Sequence, residues 1–135
     1  MLGTLKLKLL GTATAAGILA IGIAASPAQA QGTTWCDNLE IGGEVAARGC
    51  FSEYGDHVYA GDYRADGWRA VTEWKTNYGR TGECHDDRGA TDTLVDCNYD
   101  MAESGSITFR IVVRNGEDGT NQYQTGWHKY VPIGG

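Results

Sequence analysis

The chain has 135 residues, enough for one domain, with 17 acidic side chains against 11 basic ones and a formal net charge of −6. That balance repels phosphate backbones and argues against a role coating DNA or RNA. A domain of this size can bury a core unaided, although crosslinks commonly supplement the core of a secreted one.

Residues 1–30 read as a secretory leader. Lys6 and Lys8 supply the positive segment, Leu9 to Ala25 is an uncharged apolar or small-residue stretch, and Ala28-Gln29-Ala30 gives the small-x-small pattern of a cleavage site. The stretch is diluted by Gly, Ala and Thr and ends at Pro27, whereas a spanning helix wants about 20 strongly apolar residues. Cleavage after Ala30 leaves one extracellular domain, residues 31–135, with no membrane attachment. It keeps all seventeen acidic side chains and nine basic ones, a surface suited to solubility.

Cys36, Cys50, Cys84 and Cys97 all follow the leader, and an even count in an oxidising compartment implies two disulfides. No close C-x₂₋₄-C pair is present, so a zinc site is not expected. The pairing Cys36–Cys50 with Cys84–Cys97 is favoured because short loops close at lower entropic cost and each pair brackets a hairpin. Each bridge should contribute roughly 3 kcal/mol in the chain-entropy model. A Cys50–Cys97 bridge would instead suggest an immunoglobulin sandwich, but Val95 stands where the tyrosine corner needs a Tyr.

No stretch after the leader sustains an i, i+3, i+4 apolar pattern, and alternation with turn chemistry recurs instead. Glu44 to Phe51 is a strand ending at the Glu53-Tyr54-Gly55-Asp56 turn. His57 to Tyr63 follows, closed by Arg64-Ala65-Asp66-Gly67, whose Asp-Gly predicts a hairpin. Trp68 to Lys75 alternates cleanly: Trp68, Ala70, Thr72 and Trp74 share one face, with Arg69, Val71, Glu73 and Lys75 opposite. Asn77-Tyr78-Gly79 turns the chain into Gly82 to Asp86, and Thr93 to Tyr99 returns after a polar loop. In Ser106 to Arg114, Ile107, Phe109, Ile111 and Val113 point one way, with Thr108, Arg110, Val112 and Arg114 opposite. A last strand is expected over Tyr123 to Val131. Seven or eight short strands of this kind predict an all-β protein, an antiparallel β-sandwich or small barrel, with Trp68, Trp74, Phe109 and Ile111 in its core.

The run Gly49-Cys50-Phe51, Tyr54-Gly55-Asp56, Ala65-Asp66-Gly67, Trp74, Tyr78-Gly79-Arg80, Gly82, Cys84, Cys97-Asn98-Tyr99 and Gly126-Trp127 resembles a group of small secreted actinobacterial proteins. The resemblance covers most of the chain after the leader. It implies an exported, disulfide-bonded, mostly β protein and no assigned activity.

Eleven Trp and Tyr residues follow the leader. Most should pack in strands and core. Sugars present C–H faces that stack on such rings, and Tyr59, Tyr63 and Trp127, set among polar or glycine neighbours, are the candidates for a ligand-binding face. The acidic residues between Glu83 and Glu103 lack an EF-hand pattern and read as a solvated edge. His57, His85 and His128 offer no local ligand pair, and Ser52, Ser104 and Ser106 lack a G-x-S-x-G setting. No metal or other cofactor is expected.

Arg110-Ile111-Val112-Val113 followed by Tyr123 to His128 is similar to the closing segment of small secreted microbial ribonucleases. That resemblance implies His128 as acid and Arg110 as phosphate ligand; Glu73, outside the matching segment, is the candidate carboxylate for the base. The favoured expectation remains a monomeric, non-catalytic secreted module recognising a surface glycan or an extracellular protein, for example as an inhibitor of a protease or toxin. Secreted material should begin at Gln31 by intact mass and carry no free thiol. A free thiol under non-reducing conditions would refute the two-bridge assignment.

Overall fold

Alternating apolar and polar side chains build nine strands in a computed structural model, which describes residues 32–134. The leader expected at residues 1–30 lies outside the described residues. The strands are β1 (Thr34–Ile41), β2 (Glu44–Ser52), β3 (His57–Asp62), β4 (Arg69–Thr76), β5 (Thr81–Asp86), β6 (Val95–Asn98), β7 (Ser106–Arg114), β8 (Asn121–Gln124) and β9 (His128–Pro132). They form two antiparallel sheets, the first in the order β1-β2-β3-β6. The second runs β5-β4-β7-β8, with β9 also pairing β7. The sheets pack face to face as a sandwich and do not close into a barrel.

The alternation expected for β4 and β7 holds. Ala70, Thr72 and Trp74 stand beside Ile107, Phe109, Ile111 and Val113 on the inner face of the second sheet, opposite Ala47, Phe51, Val58 and Ala60 of the first, and all are buried. The layers are in tight contact at Gly49. A Cβ there would lie 2.4 Å from Thr72 Oγ1 and 2.6 Å from Ile111 Cγ1, so only glycine fits. Beside it, Thr72 Oγ1 donates to the Tyr59 carbonyl of the other sheet at 2.7 Å.

Four expectations need correction. The Asp66-Gly67 segment is a crossover, not a hairpin: β3 and β4 belong to different sheets. Its turn is local, with Gly67 at φ 78° and Asp66 Oδ1 accepting from the Trp68 N–H at 3.0 Å. That bond ends the turn at Trp68, so β4 starts one residue later. Trp68 is consequently half-buried at the rim against Tyr123, ring centroids 5.9 Å apart, and not in the central core.

The last strand is two. Thr125 N–H donates to the Ile111 carbonyl at 2.9 Å, while Thr125 Oγ1 accepts from Ile111 N–H at 3.0 Å. A side-chain oxygen thus replaces the ladder carbonyl, separating β8 from β9. This break adds one strand to the seven that the sequence delimits, and β1 (Thr34–Ile41), which it does not delimit, adds the ninth.

Both disulfides pair as expected, Cys36 with Cys50 and Cys84 with Cys97. Cys36 and Cys50 stand directly opposite in the β1–β2 hairpin, Cα atoms 4.1 Å apart. Cys84 and Cys97 do not bracket a hairpin: they join β5, at the edge of the second sheet, to β6, at the edge of the first.

Replacing Phe109, which is 0% exposed, by Ala should cost about 3–5 kcal/mol in urea unfolding. A loss below about 1 kcal/mol would mean that this side chain does not anchor the core.

Candidate functional site

Alternation on β2 and β3 turns Arg48, Cys50, His57 and Tyr59 to the outer face of the first sheet. Tyr59 and Tyr63 border a concavity of about 340 Å³ with Thr34, Arg48, Asp92 and Leu94, floored by the Cys36–Cys50 bridge. Leu94 packs over Gly61, where a Cβ would sit 2.5 Å from Leu94 Cδ2 and 3.4 Å from Tyr63 Oη. The absent side chain lets the loop before β6 settle between the two tyrosines. Burial, and then the Asp96 carboxylate, push the Tyr59 phenol above its ordinary value. The ring therefore stays a neutral hydrogen-bond donor. His57 stacks at 6.0 Å from Tyr59 and holds Asp96 at 2.6 Å through Nδ1. Among the described residues, Arg48 and Asp92 have no side-chain hydrogen bond or ion pair, so both are available to a ligand.

Trp127 occupies the other outer face, so the three aromatic candidates do not share one surface. Lys75 Nζ lies 4.2 Å and Arg110 Cζ 4.5 Å from its ring centroid. On one side is a groove of about 350 Å³ with Lys75, Asn77, Ser106, Thr108, Lys129 and Tyr130. The strand register explains that lining. Phe109 pairs with His128 and Ile107 with Val131, so Lys129 and Tyr130 together stand opposite Thr108 alone. This is a β-bulge, and it turns two consecutive side chains outward. Tyr130 has φ 61° and is 79% exposed.

Further across this face Glu73, Arg110, Arg114 and Glu83 form one ion-pair network. Glu73 accepts from both Arg110 and Arg114, and Arg114 reaches Glu83 through two nitrogens at 2.8 and 3.0 Å. The hydrogen bond from Arg114 holds the Glu83 carboxyl below its ordinary value, and Glu83 in turn raises the guanidinium of Arg114. Val71 and Val112 are fully buried side by side on the same outer face. Their neighbours two residues along each strand are these long charged side chains, whose aliphatic stems can shield them.

The ribonuclease-like residues do not converge. Glu73 and Arg110 are ion-paired on the outer face. His128 lies on the inner side in register with Phe109, stacked 4.9 Å from it, and its Nδ1 reaches Asp37 of β1 at 3.0 Å. The histidines are dispersed, His57 on Asp96, His85 on Glu83 and His128 on Asp37. Among the described residues no group of three His, Cys, Asp or Glu is placed to hold a metal ion.

A concavity of about 440 Å³ at one end of the sandwich is bordered by Trp68, Arg69, Asp62 and Asp86. Asp62 is 2% exposed; its Oδ1 accepts from Arg64 N–H, and its buried Oδ2 has no hydrogen-bond partner. Burial raises this carboxyl, with Asp66 and Asp86 pushing the same way against the Arg64 hydrogen bond.

The sequence singles out Tyr59, Tyr63 and Trp127 but not Arg48, Asp92, Lys75, Lys129 or Tyr130, which join them only through pairing between distant strands. Two pH signatures of opposite sign follow. With its pKa raised by folding, Asp62 has its full stabilising effect below the unfolded value, and loses it as pH rises through the folded value. Asp62→Asn should therefore raise stability at neutral pH by about 1 kcal/mol, a gain that disappears below about pH 4. Glu83, with its pKa lowered, stabilises above the unfolded value and loses that effect as pH falls through the folded one. Glu83→Gln should be less stable than the parent at neutral pH and converge with it in acid. Thermal unfolding across pH measures both.

Comparison with protein-family models, with curated proteins and with solved structures finds no match to this chain, so its function is argued from the geometry of these faces.

Proposed function

We propose that this protein is a secreted, non-catalytic binding module that recognises a surface glycan through the Tyr59–Tyr63 concavity. The observation that carries the proposal is the pair of rings on one disulfide-floored hollow, with Arg48 and Asp92 free of partners among the described residues. Sugars need flat apolar faces for their C–H surfaces and planar charged groups for their hydroxyls, and this hollow offers both. A rigid sheet presents them with little ordering cost on binding. The two disulfides are compatible with an extracellular location. The separation of His128 from Arg110 and Glu73 favours binding over ribonuclease-like cleavage.

A protein partner is the second reading, favoured by the turn between β2 and β3. Tyr54 is 66% exposed there, followed by Gly55 and Asp56, both at positive φ. A stiff turn presenting an exposed ring suits a protein pocket.

Tyr59→Ala and Tyr63→Ala should each weaken retention on insoluble cell-wall polysaccharide by about tenfold. Capture of a secreted protein that is lost in Tyr54→Ala, with no polysaccharide retention, would favour the second reading. RNA cleavage that disappears in His128→Ala would overturn both.

A further inference from the structure

The groove beside Trp127 is separate from the Tyr59–Tyr63 concavity, and its chemistry differs. In a chain of net charge −6, no carboxylate lines it. Among the described residues neither Lys75 nor Lys129 has an ion-pair partner, whereas Arg64, Arg88, Arg110 and Arg114 all do. Lys75 and Arg110 both approach the Trp127 ring, and only Arg110 is neutralised, by Glu73. The Lys75 ammonium thus shares the ring with a second cation and forms no ion pair of its own, although Glu73 and Glu83 border the hollow on the other side of Trp127. On the groove side its charge is open to an anion.

The bulge in β9 supplies a further observation. Without it, alternation would send Tyr130 into the core; with it, Lys129 and Tyr130 both stand on the outer face beside Trp127. The arrangement requires a left-handed backbone at Tyr130, which is strained for any side chain with a Cβ. Tyr130 is 79% exposed, so little packing offsets that strain. Bulges recur where a strand must re-aim a side chain at a site.

We propose that this groove is a second binding site, selective for a carboxylated sugar chain. The Trp127 and Tyr130 rings receive the C–H faces of the sugar, Lys75 and Lys129 take its carboxylates, and the Thr108 hydroxyl and the Asn77 amide reach its hydroxyls. An acidic peptide would supply carboxylates without the flat apolar face to which two rings are fitted.

The site does not rest on the glycan reading of the first sheet, and the test separates the two. Binding of the full secreted protein is measured to polygalacturonate, to its uncharged methyl ester and to polyglutamate. Polygalacturonate should bind, and the other two should bind at least tenfold more weakly. Lys75→Ala and Lys129→Ala should each weaken polygalacturonate binding by about tenfold, both in the parent and in a Tyr59→Ala background that removes the first hollow. Tyr130→Gly carries a distinct signature: relief of the left-handed strain should raise the Tm while affinity falls several-fold. Equal binding to polyglutamate or to the methyl ester would overturn the proposal. So would lysine variants that bind as the parent does, or a Tyr130→Gly variant with unchanged affinity.

Discussion

The two layers touch at Gly49, where not even a methyl group fits between β2 and the Thr72 and Ile111 side chains of the opposite sheet. This contact sets the spacing of the sandwich. Small residues lie near it, Ala47 on the same strand and Ala60 paired with Gly49, and they share the core with Phe51, Trp74 and Phe109. The cross-sheet bond from Thr72 to the Tyr59 carbonyl lies at the same place. One residue therefore has its backbone anchored from the core and its ring displayed on the outside. The position of the Tyr59 ring is thereby tied to the packing of the core.

The two outer faces use charge differently. On the first, Arg48 and Asp92 have no partner among the described residues beside two tyrosines. On the second, Glu73 of β4, Glu83 of β5, and Arg110 and Arg114 of β7 are bound to one another across three strands. Arg114 is 7% exposed, so its charge has been taken out of water and depends on both glutamates. Pairing of that kind specifies register: sliding β5 or β7 by one residue would leave a buried guanidinium unmatched. The network also leaves Lys75 outside it, so an ammonium without an ion pair among the described residues stands at the margin beside Trp127.

Much of the fold is legible in the sequence where a signal is local. Strict alternation delimits β7 correctly from Ser106 to Arg114 and assigns both its faces, and short-loop closure selects the right cysteine pairs. Tyr59 and Tyr63 share a face because they are four residues apart with Gly61 between them. The failures are non-local. Asp66-Gly67 has the chemistry of a turn, yet turn chemistry does not say which sheet the next strand will join. Trp127 looks equivalent to the tyrosines until β9 pairs with β7, after which it belongs to the opposite surface. Thr125 breaks the last strand by offering its side chain to Ile111, a bond that requires β7 alongside. The Lys129–Tyr130 bulge exists only in a register, so no window of sequence contains it. Its trace in the chain is an alternation that fails between His128 and Val131, which both face inward although three residues apart.

The disulfides also determine what survives a cut. Exposed connections are where proteases nick a folded domain. Two such connections here are the Gly42-Gly43 turn and the loop from Asp87 to Leu94, both with largely exposed residues. Each is enclosed by a bridge, Cys36–Cys50 around the first and Cys84–Cys97 around the second. Hydrolysis of a peptide bond in either place leaves both fragments covalently joined, with the sheets still stapled at their edges. A chain cut in either place therefore stays one covalent molecule carrying both faces.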